Sequence, residues 1–214
     1  MALIGFAAAL MLGLAPASTL AGEPVVDPVG ADITFSGGGN ALLNTVWVGN
    51  VACQNVDASG TIGSTGKAGT MTLDMTGCHV IYLGFTYACQ STSAPLSNTI
   101  KLAGTFETTY LTDAKTKPGI KFDIAVTRIA CGYGAPPPTF ATLSGSVLGT
   151  LSVPACGIES NKGTINFEGD EQITGTGPSV TLTSTNAVET EQAPGGLGAD
   201  ISVEFSKAIK VTCV

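Results

Sequence analysis

Apolar and polar residues alternate along most of the chain after residue 30, and this alternation is typical of β-strands that bury one face. In the run 120–127, with the sequence IKFDIAVT, every second residue up to Val126 is apolar. The runs 70–76, 100–110 and 143–153 alternate in the same way. Each of these runs predicts a strand with one face in a core.

The run 201–213 also alternates, but Lys207 stands where an apolar residue is expected, which predicts either a β-bulge or the rim of the sandwich at that point. Further β-branched and aromatic segments predict strands at 33–36, 45–53, 80–89, 164–173 and 180–185. No longer segment combines helical periodicity with helix caps. Short strands at regular spacing indicate a sandwich or a barrel, and we expect an all-β fold, an antiparallel β-sandwich of about ten strands.

Three segments rich in glycine, proline and polar residues predict loops, at 113–119, 131–139 and 187–199. Loops on a rigid β-scaffold commonly carry binding residues, so two of these segments are candidate contact elements. Their possible contact residues are Pro136, Pro137 and Pro138 in one loop and Glu189, Glu191 and Pro194 in the other.

Residues 1–21 carry no charged side chain and combine an apolar run with a cluster of small residues, which is typical of a signal peptide. Cleavage is expected after Ala17 or Ala21, although the usual basic segment is missing at the start. A retained membrane anchor is the alternative interpretation. Residues 22–214 contain no run of 18 apolar residues and are expected to form a single all-β domain without a transmembrane helix.

An even number of cysteines in an exported chain predicts disulfides, here three. No two cysteines are separated by two residues and the chain has one histidine, which argues against a zinc site. Six cysteines allow 15 connectivities, and the pattern alone does not select one. We expect the pairs Cys53–Cys78, Cys131–Cys156 and Cys89–Cys213.

The net charge of −7 excludes a nucleic-acid partner, because such affinity comes mainly from Lys and Arg neutralising phosphates. Charged residues make up only 12% of the chain, about half the usual share. The surface of the folded protein must therefore be covered largely by Thr, Ser, Asn and Gly, as in many exported β-proteins.

The candidates for catalysis are few. His79 is the one possible histidine base, but no Gly-x-Ser-x-Gly motif accompanies it, and a polar residue beside a disulfide is the simpler interpretation. Asp74 and Glu107 are the carboxylates considered for glycoside hydrolysis, although the lone Trp47 is expected in the core rather than in a sugar site. The acidic cluster 168–171 lacks the spacing of a calcium loop. We therefore assign no catalytic, cofactor-binding or metal-binding residue.

The glycine run at 37–39 lacks the Lys-Ser/Thr of a phosphate loop and is interpreted as a flexible turn. Three strand starts share the dipeptide Gly-Thr, in GTMTLDMTGC, in LSGSVLGTLSV and in GTINFEGDEQITG. With these motifs and the cysteine that follows a strand in Thr76-Gly77-Cys78, the chain resembles uncharacterised secreted β-rich proteins of high-GC actinobacteria. The resemblance implies an exported β-sandwich and supplies no catalytic residues.

Three functions remain open. The first is a non-enzymatic secreted or cell-envelope protein that binds a surface, a protein or a glycan, and it is the one we expect. The second is a polysaccharide or cell-wall hydrolase that uses Asp or Glu. The third is a β-barrel pore of the envelope, which the alternating strands favour and the disulfides, the scarcity of aromatic residues and the terminal Cys213-Val214 oppose.

Overall fold

A computed structural model describes residues 24–30, 32–45, 49–91, 98–111, 117–132, 139–153, 157–168, 183–186 and 192–212. These residues form twelve strands, and every pairing between them is antiparallel. No helix in the described part of the chain is long and apolar enough to cross a membrane. The strands are β1 (Val25–Asp27), β2 (Ile33–Thr45), β3 (Gly49–Ile62), β4 (Ala68–Thr76), β5 (His79–Tyr82), β6 (Phe85–Ser91), β7 (Thr99–Tyr110), β8 (Pro118–Cys131), β9 (Thr139–Ser152), β10 (Ser160–Glu168), β11 (Thr183–Asn186) and β12 (Gln192–Thr212).

The sheet closes on itself as an eight-stranded antiparallel barrel, so the expected sandwich is wrong. The last strand, β12, pairs with β2 along one edge and with β10 and β11 along the other. Strands β2, β3, β4, β7, β8 and β9 complete the ring between them. Period-two alternation is the same in a sandwich and in a barrel, and the difference lies in this pairing of the last strand with both edges.

Three of the eight positions in the ring are each shared by two strands that lie end to end. Thr76 of β4 is opposite Asn55, and His79 of β5 is opposite Ala52, so β4 and β5 follow β3 in one unbroken register. In the same way β6 and β7 share a position beside β8, and β10 and β11 share one beside β9. The barrel therefore has eight strands around its circumference at each of its two ends. The end that contains β5 and β6 is called the hairpin end below.

The interior of the barrel is filled with apolar side chains from every main strand. An eight-stranded barrel is just wide enough to be filled in this way. Phenylalanine rings occupy much of the space, and three of them stand directly across from a glycine, whose bare backbone leaves room for the ring. These pairs are Phe35 with Gly60, Phe106 with Gly69 and Phe167 with Gly149.

The outer wall carries the polar half of each alternating strand, mostly Thr, Ser, Asn and Asp, as the composition predicted. Some of its ion pairs join neighbouring strands and remain partly exposed, such as Lys101 with Asp74 at 3.6 Å. Asp123 is held within the wall by Lys121 at 3.2 Å and by a hydrogen bond that the Ser146 hydroxyl donates.

Two segments that were expected to be loops are strand interior. Gly37, Gly38 and Gly39 lie in the middle of β2, paired with both β3 and β12, and do not form a flexible turn. The segment 192–199 is the first part of β12, with Leu197 and Ala199 buried in the barrel. A Cβ at Gly37 or Gly39 would meet the backbone carbonyl oxygen of Ser202 or Asp200, so these glycines serve a close approach of neighbouring strands and not a turn.

The predicted strand boundaries need three further corrections. The segment 45–53 spans the end of β2 and the start of β3, and the segment 80–89 is a hairpin of two strands. A bulge in β8 after Ile124 turns Thr127 into the core and leaves Val126 exposed, against the alternation expected there. Of the two features expected at Lys207, a bulge or a rim, the structure has the bulge, because the register of β12 with β10 shifts between Glu204 and Ile209.

Two disulfides are present among the described residues, and each joins strand neighbours. Cys53–Cys78 is the pair expected from the sequence. Cys89 is bonded to Cys131, so the expected partners of both residues were wrong. Direct cross-strand opposition of Cys89 and Cys131 explains the bond, since the two Cα atoms are 4.1 Å apart. The remaining cysteines of the expected pairs, at 156 and 213, lie outside the described residues.

Candidate binding surface

The β5–β6 hairpin is built from residues that favour strands on both sides of a two-residue turn. Its cross-strand pairs run from His79 with Ala88 at the base to Tyr82 with Phe85 beside the turn. Val80 is buried at the base, where the hairpin still belongs to the barrel wall. Beyond this point neither strand has a described partner other than the opposite arm of the hairpin.

The turn residues Leu83 and Gly84 both have positive φ, at 50° and 82°. Tight hairpin turns of this kind favour Asn-Gly or Gly-Gly, because a bulky residue in the left-handed region is strained. Leucine at the first position is therefore a poor choice for the turn itself. Because Leu83 costs backbone energy and is 80% exposed, neither the turn nor the core explains it, and it is a candidate contact residue.

Both disulfides lie at the base of this hairpin. Cys78 directly precedes β5 and is bonded to Cys53 of β3, while Cys89 of β6 is bonded to Cys131 of β8. The Cys89 backbone N–H donates to the Cys78 carbonyl at 2.9 Å, which ties the two arms together between the covalent links. The hairpin is thus fixed to the barrel on each side.

The tip of the hairpin is apolar on both faces and at its apex. Ile81 and Phe85 are each 67% exposed, and Tyr82 is 53% exposed. Leu83 is more exposed than any of these three residues. A run of 26 residues between Asp74 and Lys101, which includes the whole hairpin, contains no Asp, Glu, Lys or Arg. Exposed apolar residues scattered singly are ordinary, but a cluster of four on one projecting element makes the tip a candidate interaction site.

Comparison of the chain with protein-family models, with curated proteins and with solved structures finds no match.

The contact residues expected from the sequence are not brought together in the described structure. Pro136, Pro137, Pro138, Glu189 and Glu191 lie outside the described residues. Pro194 lies in β12, where it is opposite Thr183 of β11, so it belongs to the barrel wall and not to a loop.

The residues considered for catalysis are also dispersed. Asp74 is opposite Lys101 on β7, and Glu107 lies six residues further along that strand, which separates the two carboxylates by about 20 Å. Glycosidases place their carboxylates about 5 to 9.5 Å apart. Asp57 does lie directly opposite Asp74, but both are on the convex outer wall and not in a cleft.

His79 and Glu168, the first residue of the acidic cluster, both lie at strand ends. His79 is half-buried as the first residue of β5, with Nδ1 3.0 Å from the Gly77 carbonyl oxygen. Glu168 ends β10, and the rest of the cluster, at 169–171, lies outside the described residues, as does Trp47. Within the described part of the chain, no three His, Cys, Asp or Glu side chains come together as metal ligands.

A second surface feature is an open cleft of about 660 Å³ over β10, β12 and β2. Lys162 and Glu204 face each other on its wall at 3.6 Å, and Gly38 and Gly163 leave part of the backbone uncovered. None of the described residues that line the cleft is aromatic. The cleft therefore lacks the flat apolar platform with which carbohydrate sites usually hold a sugar ring.

Sequence reasoning missed the hairpin tip, although two signals for it were present. The consecutive apolar residues at 80–83 break the period-two alternation. Such a break is unusual for a strand that has one solvent-exposed face. The long charge-free run around them is the second signal. Both were absorbed into the prediction of a single strand from 80 to 89.

Proposed function

We propose that this chain is an exported, non-enzymatic barrel protein that binds a surface or ligand at its hairpin end. The observation that carries the proposal is the apolar hairpin tip, exposed on both faces and joined to the barrel by two disulfides. A rigid scaffold that presents a small apolar element is typical of binding proteins, in which ordering costs are met before the partner arrives.

Export is supported by the disulfides. Such bonds form and persist in oxidising compartments, including the periplasm and the cell exterior, and are rare in the cytosol. The cysteines of the described residues are all oxidised. The apolar segment 1–21 is consistent with this location through its resemblance to a signal peptide.

The pore alternative shares the barrel architecture but is not favoured. Membrane pores place apolar residues on the outside and a polar channel inside. Here Leu102, Phe122 and Phe167 fill the interior, while Asp74 and Lys101 lie on the outer wall. The hydrolase alternative is weakened by the distance between Asp74 and Glu107.

Two measurements test the proposal. Fractionation of producing cells should recover the chain outside the cytoplasm, and binding of the purified protein to isolated envelope material should depend on the hairpin tip. The double variant Leu83→Asn/Phe85→Ser should bind such material at least 10-fold more weakly, because it removes two exposed apolar side chains. The matched control is Val126→Thr, which removes an exposed apolar residue from the barrel wall.

Recovery of the chain in the cytoplasm with free thiols would contradict export. Equal binding by the double variant and the unmodified protein would contradict the assignment of the hairpin end as the contact surface.

A further inference from the structure

We infer that the partner of the hairpin tip is a lipid layer of low charge, into which the tip inserts at the level of the headgroups. This inference rests on the proposed function, because it names the class of surface that the same element contacts.

The shape of the tip favours an enclosing medium over a flat partner. Ile81 and Phe85 belong to opposite faces of the hairpin and are equally exposed, and Leu83 projects from the apex. A flat protein surface would cover one face and leave the other in water. A fluid apolar phase covers both faces and the apex at once.

The exposed area is also too small for a stable protein interface. Four large side chains that are about two-thirds exposed offer roughly 500 Å² in total, from about 150–250 Å² for a whole large side chain. Stable protein complexes bury about 800 Å² on each partner. A second copy that docked through the tip alone would fall short of this area.

The charge distribution selects the kind of lipid. The tip lies within the 26 residues that carry no Asp, Glu, Lys or Arg, so no charged side chain of this run opposes its transfer to an apolar phase. The protein as a whole has a net charge of −7, which an anionic membrane repels. Neutral or zwitterionic headgroups therefore fit the surface best.

The backbone limits the depth of insertion. Backbone at an open sheet edge is not tolerated in the hydrocarbon centre of a bilayer, which limits the β5–β6 hairpin to the level of the headgroups. The distance along the strand from Leu83 back to Ile81 is about 7 Å, which matches the roughly 5–10 Å depth of interfacial elements. Tyr82 lies within this depth and suits the interface, since its ring is apolar and its hydroxyl is polar. Binding should be reversible, because a single small anchor does not hold a protein permanently.

The test is co-sedimentation of the purified protein with phosphatidylcholine vesicles. The unmodified protein should partition onto the vesicles, Leu83→Asn should partition roughly 10-fold less, and Leu83→Asn/Phe85→Ser should fall to background. Asparagine accepts the left-handed backbone of this turn readily, so loss of binding by Leu83→Asn cannot be a loss of folding. Val126→Thr should stay within about twofold of the unmodified protein, and thermal unfolding of every variant serves as the check on folding.

Replacing about a third of the lipid with phosphatidylglycerol should weaken binding, through repulsion by the net negative charge. Binding that requires the anionic lipid, or that Val126→Thr lowers as much as Leu83→Asn, overturns the lipid inference. No partition by the unmodified protein onto pure lipid, combined with tip-dependent binding to envelope material, also overturns it. That last result leaves the proposed function in place, so the two failures are distinguishable.

Discussion

A methyl group added at Gly149 should destabilise the barrel, because this glycine makes room for an aromatic ring. A Cβ at that position would lie 2.8 Å from two ring atoms of Phe167 and 3.0 Å from the Asn166 carbonyl oxygen. Carbon atoms in contact prefer a separation of about 3.5–4.0 Å, so the ring would have to move by about 0.7–1.2 Å. The ring is buried and packs against Phe122, with 6.2 Å between ring centroids, so it cannot move alone.

The expected size of the effect follows from two opposing contributions. Overpacking of this kind costs about 1–3 kcal/mol, while replacing glycine by alanine gains about 0.4–1 kcal/mol by restricting the unfolded chain. The Gly149→Ala variant should therefore lose about 1.3 kcal/mol of unfolding free energy. For a domain of this size that loss lowers Tm by about 3–5 °C.

Urea unfolding followed by far-ultraviolet circular dichroism measures the loss, with the m-value expected to stay constant. Gly132→Ala is the matched control, since a Cβ there meets no atom within 4 Å. The double variant Gly149→Ala/Phe167→Leu should be more stable than the sum of the two single changes implies, because the smaller side chain leaves room for the methyl group. Equal stability of Gly149→Ala and Gly132→Ala would refute the reasoning.

Three further predictions concern the covalent links, the core and the outer wall. Replacing Cys89 and Cys131 with serine opens a loop with a sequence separation of 42 residues and should cost about 4 kcal/mol in denaturant unfolding, while peptide mapping without reductant should recover a peptide that links the two cysteines. Phe122→Ala should cost about 3–5 kcal/mol because the side chain is fully buried, and a cost below about 1 kcal/mol would contradict the packed interior. Asp74→Asn should cost less than about 1 kcal/mol in thermal unfolding, since the carboxylate and its partner Lys101 are both about 42% exposed, and a larger loss would indicate a role beyond that ion pair.

Local patterns in the sequence predicted the strands and much of the core. Alternation identified the buried faces of β4, β7 and the first half of β8, because burial of one face of a strand requires an apolar residue at every second position. The bulge at Lys207 and the Cys53–Cys78 link were predicted for similar local reasons. Closure of the barrel was not predicted, because it depends on pairing between β2 and β12, whose residues are about 160 positions apart.

Glycine misled the sequence analysis in a consistent way. The run at 37–39 and the glycines at 195, 196 and 198 were interpreted as turn residues, since turns are where isolated sequences most often require them. In a closed barrel, glycine also serves positions at which a neighbouring backbone or an aromatic ring approaches too closely for a Cβ. Only the three-dimensional pairing distinguishes these two uses.

The position of the disulfides is the strongest reason to prefer the hairpin to the cleft as the binding surface. The β5–β6 hairpin has few hydrogen-bonded partners in the barrel, since β5 meets β3 at the single pair of His79 and Ala52. An element attached so sparsely would open locally more often than the continuous strands around it. Both described covalent links lie at this weak point, although the packed barrel is closed without them. Among the elements that the structure describes, they hold in place the one whose large apolar side chains are clustered in solvent. A fixed apolar tip reaches a partner without the entropy cost of ordering a mobile loop.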